Sequence, residues 1–170
     1  PMAAPKRIGT TMYVVAAVLC LILLTSLFSG MLDSRNFPNR DPQGSINDEG
    51  NIEIVLERSR NGHYIATGYI NGEPVEFLVD TGASAVAIQS ELASVLRLRK
   101  GQQVSTITAN GIAIAHTTTI DELQLGDIIE HHVPATLVPN LPGGQILLGM
   151  SFLKRLDFSQ RDDTLVLETK

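Results

Sequence analysis

The sequence predicts an all-β domain carried behind one apolar helix, and three observations predict it. From about residue 51 onward, short segments rich in Ile, Val and Thr alternate with turn residues every ~8–12 positions, the pattern of a β-barrel or sandwich. Asn71-Gly72, Asn110-Gly111 and Gly126-Asp127 each stand between two such segments; Asn-Gly signals a hairpin because both residues accept positive φ. Ahead of the domain, Gly9 to Leu32 holds 24 residues without a charge.

Composition narrows the function. A chain of 170 residues suggests one globular domain plus extras. The net charge of −5 offers no basic stripe for a phosphate backbone, so no nucleic-acid partner is expected. Cys20 is the single cysteine, which excludes an internal disulfide and a Cys-based zinc cluster.

Residues 1–8 read as an N-terminal flank and 9–32 as a transmembrane helix, since about 20 apolar residues span a bilayer. The alternative is a cleaved signal peptide, whose apolar part usually runs ~7–15 residues into a small-x-small site. Leu27-Phe28-Ser29 suits cleavage poorly, so a retained anchor is expected. Lys6 and Arg7 precede the run, whereas Arg35 and Arg40 after it are offset by Asp33 and Asp41. That balance leans toward a cytoplasmic N-terminus and a domain outside the cytoplasm. Residues 33–50 contain Pro38, Pro42 and Gly44 with little apolar content, and read as a flexible polar stalk. As a coil it would span roughly 20–25 Å.

The folded domain is expected over 51–170. Ile52 to Glu57 has strand character, and Asn61-Gly62 marks a turn. His63–Ile70 and Glu73–Asp80 form the arms of the first hairpin; Pro74 places the second arm at an edge or strand start. Val86-Ala87-Ile88 resumes an apolar run. Ser90 caps an expected short helix through Leu98, with Leu92, Val95 and Leu96 as its core stripe. Val104–Thr108 and Ile112–Thr119 form the second hairpin, and Ile120–Leu125 and Ile128–Val133 the third. After the Leu141-Pro142-Gly143-Gly144 loop come Ile146 to Gly149, one helical turn over Ser151–Arg155, and terminal strands around an Arg161-Asp162-Asp163 turn.

The chemistry centres on Phe77-Leu78-Val79-Asp80-Thr81-Gly82-Ala83-Ser84. An apolar strand delivers Asp80 to the edge of a core, where a carboxylate must be hydrogen-bonded or paired. Gly82 permits a tight turn. Downstream, Ile146-Leu147-Leu148-Gly149 places large aliphatics before a glycine.

In order and separation these two segments resemble the active-site motifs of retroviral-type aspartic proteases. The likeness covers about Ile52 to Lys170. It is closest to small bacterial membrane-anchored members of that family, through Leu147-Leu148-Gly149-Met150-Ser151-Phe152-Leu153. The resemblance implies a closed acid-protease barrel and a catalytic Asp80, with Thr81, Gly82 and Ala83 completing the turn and Thr81 linking two such turns. Leu147, Leu148 and Gly149 would support the turn from beneath, and Ala109, Asn110 and Gly111 would form a substrate-covering flap. It also implies a domain on the periplasmic side of a bacterial inner membrane.

Peptide hydrolysis by this route needs one ionised and one protonated carboxyl group. The chain carries one Asp-Thr-Gly. The second acid is therefore expected from a homodimer whose twofold axis sets Asp80 against its mate, acting on a protein or peptide substrate. Ala83 lacks the hydroxyl a Ser would offer the carboxylates, so a mildly acidic optimum is expected. No cofactor and no metal are expected. His131 and His132 should point to opposite faces of a strand, and His63 and His116 add no cluster. Asp121, Glu122 and Asp127 flank a turn and read as solvated. Ser84 and Ser151 lack a His-Asp signature. Two other readings stay open: a dimeric peptide-binding module that does not cut, and a tethered sensory β-domain in which Asp80 is a turn acid.

Overall fold

The computed structural model describes residues 5–108, 111–141 and 144–170, with side-chain detail at 12–27, 37–106, 111–141 and 144–170. It divides into two units, Pro1–Asn36 and Phe37–Lys170. The first contains helix α1, Pro5–Asn36, which spans the expected 9–32 segment and runs about one turn beyond it at each end. Among the described residues no helix is long and apolar enough to cross a membrane.

Among its described residues the second unit holds eleven strands in chain order: β1 (Gly44–Ile46), β2 (Ile52–Glu57), β3 (Ile65–Ile70), β4 (Glu73–Val79), β5 (Val86–Gln89), β6 (Gln103–Thr108), β7 (Gly111–Leu125), β8 (Ile128–Val138), β9 (Ile146–Leu148), β10 (Leu156–Arg161) and β11 (Thr164–Thr169). A four-residue helix, α2 (Met150–Leu153), follows β9. The domain is all-β, as expected, but it is laid out as two sheets. The smaller has the order β1-β2-β11-β10 and the larger β3-β4-β9-β5-β8-β7-β6. A short pairing of Tyr69 and Ile70 with Gln124 and Leu123 bridges β3 back to β7. Ile54, Leu56, Leu165 and Leu167 of the small sheet share one core with Phe77, Ile120, Leu148 and Phe152.

Turn chemistry builds the hairpins. Asn71 (φ 51°) and Gly72 (φ 82°) both adopt the left-handed region, the primed turn that matches strand twist. The Asn71 side chain donates to Leu96 O at 2.8 Å and accepts from Glu122 N at 3.0 Å, binding the turn to two neighbours. Pro74 lies near the start of β4, where β9 does not reach, because β9 pairs only with Phe77–Val79. No ladder donor is lost there. The two strands expected over 112–125 are one continuous strand, since no turn residue interrupts Thr119-Ile120-Asp121.

The expected helix over 90–98 is only a 3-10 turn, Ser90–Leu92, followed by turns that end on Arg97 at φ 56°. Leu96 is buried, but Val95 is exposed and leaves the expected core stripe. One short turn cannot bring three positions of a stripe to the same face.

The expected stalk over 33–50 is also corrected. Asn39 is buried, donates to Glu57 O and Ile65 O at 2.9 Å each, and accepts from Glu57 N at 2.8 Å. Gly44 N donates to Asp127 Oδ2 at 2.7 Å, and β1 pairs with β2. Polar residues order this strap by hydrogen bonding to strand ends, a route that low hydrophobicity does not reveal. Asn39→Ala should strand buried partners in both β2 and β3 and lower stability by about 2–4 kcal/mol. A thermal melt should show Tm falling by roughly 6–15 °C; an unchanged Tm would mean the strap is not held this way.

Candidate active site

Asp80 follows the last residue of β4 and is half-buried at the mouth of a cleft. Its backbone N donates to Leu148 O at 3.2 Å, continuing the parallel pairing of β4 with β9 by one position. Its carboxylate accepts from Gly82 N at 2.9 Å, and its carbonyl accepts from Ala83 N at 3.2 Å. The acid is therefore fixed by its own turn. Thr81 and Gly82 are exposed at the tip.

Beneath this turn, Ala83 O accepts from Met150 N at 2.8 Å. That contact requires Gly149. A Cβ there would lie 2.7 Å from Ala83 O and closer still to Ala85 O, both backbone atoms with no freedom to retreat. Its φ of −89° is available to any residue, so the need for glycine is steric.

The cleft has a volume of about 740 Å³. Leu78, Ala87, Val138 and Leu147 form apolar wall, with Ile112 and Ile114 from the β6–β7 hairpin across from them. Asp80 is the one ionisable residue among the described residues lining it.

The family described as "gag-polyprotein putative aspartyl protease" matches residues 66–155, more than half of the chain and the whole of this site. An uncharacterized protein from the cobV 5′ region of a Sinorhizobium species is 34% identical over 174 residues, covering 95% of this chain and 75% of that one. The chain belongs to the retropepsin-like aspartic protease family. An uncharacterized protein of Rickettsia prowazekii (strain Madrid E) is 32% identical over 118 residues, 68% of this chain and 50% of the other. The crystal structure of a retropepsin-like aspartic protease from Rickettsia conorii superposes with a TM-score of 0.58 at 30% identity, covering 69% of this chain and 90% of that one.

Within this retropepsin-like site, the residues singled out in the sequence fall into three groups. Asp80, Gly82 and Ala83 come together at the cleft, and Thr81 stands at the exposed tip between them. Leu148 and Gly149 are buried below the turn, whereas Leu147 lines the cleft wall. Alternation along β9 explains it: neighbours on a strand face opposite sides, so only one of the two leucines can lie beneath. Of the expected flap, Gly111 begins β7, while Ala109 and Asn110 lie outside the described residues.

Other residues were not legible as site components. Thr106 on β6, Thr136 on β8 and Asn140 in the following loop line the cleft through topology alone. His131 and His132 do not sit on opposite faces. His132 has φ 53°, and both rings are exposed with centroids 6.5 Å apart. Arg155 braces this irregularity by donating to His131 O, His132 O and the Glu130 carboxylate at 2.7–2.9 Å. Among the described residues no group of three or more His, Cys, Asp or Glu is placed to hold a metal.

Proposed function

We propose that the chain is an aspartic endopeptidase that works as a homodimer on protein or peptide substrates, tethered to a bacterial inner membrane with its catalytic domain on the periplasmic side. The observation that carries the catalytic part is the carboxylate that stands alone among the described residues of the cleft: Asp80 is half-buried, held by Gly82 N, and followed by the exposed Thr81 and Gly82. One acid cannot serve as both base and acid at once. A second copy brought against the exposed tip supplies its own Asp80, and Thr81 of each turn would link to the other. The two acids share one proton, because like charges about 3 Å apart cannot both ionise. One then takes a proton from water while the other polarises the scissile carbonyl. Substrate would lie extended in the cleft and pair with the β6–β7 hairpin by strand addition. The uncharged run Gly9–Leu32 supports the tether, and confinement to a surface would raise the effective concentration of the two halves.

Incubation of the full chain with an unbiased peptide library tests this. Internal cleavage should appear, with the rate per chain rising as the chain is concentrated. Absence of cleavage at every concentration would favour the peptide-binding reading on the same fold. The rate should follow a bell-shaped pH profile with a mildly acidic optimum, since activity needs the pair singly protonated. A maximum below about pH 3, where pepsin's dyad operates, would contradict the role given to Ala83.

A further inference from the structure

Ser151 has no nucleophile's partners, yet its hydroxyl is buried and fully engaged. It accepts from Val86 N at 2.9 Å and donates to Pro134 O at 2.7 Å. Val86 is the first residue of β5, which is where the chain leaves the Asp80 turn. Three links therefore run from one short segment to one loop. Leu148 O receives Asp80 N where the loop begins, Met150 N reaches Ala83 O at its middle, and Ser151 Oγ receives Val86 N where it ends. The first two are backbone-to-backbone contacts, the second of them admitted by the missing side chain of Gly149. The third depends on Ser151 alone, the one side chain in the set.

The location explains why a hydroxyl is used. β5 and β8 run parallel, with Val86 opposite Ala135. The Ser151 hydroxyl spans the two strands there, joining Val86 N–H to Pro134 C=O. Only a group that accepts and donates at one atom satisfies both ends. Alanine would leave the buried Val86 N–H without this acceptor and would cut the link to Pro134 C=O.

We infer that Ser151 is a positioning residue for Asp80, holding the far end of the active-site loop so that the carboxylate keeps its place relative to its mate. This rests on the peptidase reading above. Its effect on rate should be large for a single hydroxyl, because a displacement of about 1 Å at reacting groups costs as much as ~100-fold.

The test uses the full chain with Ser151→Ala, Ser151→Cys and, as a control weakened at the strap between β2 and β3, Asn39→Ala. Ser151→Ala should lower kcat by about tenfold or more with KM within about twofold, and should move the limbs of the pH–rate profile. Ser151→Cys, which keeps a weak donor and acceptor, should recover part of kcat. Asn39→Ala should leave kcat and the pH profile unchanged at temperatures where it is folded. Hydrogen exchange provides a readout independent of activity. In Ser151→Ala the amides of Ala83 and Val86 should exchange at least about tenfold faster, while those of β7 and β8 keep their protection. Faster exchange at those two amides without cleavage by any variant would keep the clamp and remove the peptidase reading. Wild-type kcat and pH profile in Ser151→Ala, or unchanged exchange at Ala83 and Val86, would overturn the inference. So would an Asn39→Ala control that loses kcat and shifts its profile to the same degree.

Discussion

Asp80→Asn should abolish peptide hydrolysis while leaving the fold intact. Asn keeps an oxygen where Asp80 Oδ1 accepts from Gly82 N at 2.9 Å, so the turn retains its closing bond. What disappears is the ability to hold or release a proton. In a symmetric pair the substitution removes both groups at once, so the loss should exceed the roughly 10²–10⁴-fold attributed to a single general acid or base. Steady-state cleavage and circular dichroism on the same preparation check it. Residual activity within tenfold of wild type would mean that the chemistry resides elsewhere.

Gly149→Ala should be the most damaging single methyl in the domain. The added carbon would approach the carbonyls of Ala83 and Ala85, and the Met150 N to Ala83 O bond of 2.8 Å fixes that separation. Two responses are open. β9 retreats and breaks pairing with β4, or the loop lifts and carries Asp80 with it. Overpacking against backbone costs about 2–3 kcal/mol, and the second response also costs activity. Chemical denaturation should show the loss of stability, and the folded fraction should cleave at least about tenfold more slowly. Gly82→Ala provides the contrast: its Cβ would meet only Asp80 Oδ1 at 3.1 Å, the end of a side chain that can yield. Equal damage from both substitutions would contradict the steric account of Gly149.

Backbone constraints made the core of the site readable in advance. An acid at the end of an apolar strand, a glycine two residues later, and a second glycine after large aliphatics are local statements about where chain meets chain. Asp80 and Gly82 accordingly meet at the cleft, and Gly149 lies against the Ala83 and Ala85 carbonyls. Asn39 could not be read in this way. Its partners, Glu57 and Ile65, lie 18 and 26 residues away, and nothing around it distinguishes a strap residue from one in a coil. Ser151 was hidden for the same reason, since Val86 is 65 residues distant. Leu147 was misplaced because a three-residue strand carries too little alternation to say which leucine faces down. The left-handed His132 defeated a rule that assumes regular pleating.

Mixing chains measures the shared-site claim most directly. Asp80→Asn chain is titrated into a fixed amount of wild type and allowed to exchange partners, and cleavage is followed throughout. If each site needs an Asp80 from both copies, inactive chain captures active chain, and at equal amounts about half of the wild-type activity remains under random pairing. Activity that holds constant across the titration would show that a single chain hydrolyses peptides unaided, and would contradict the account.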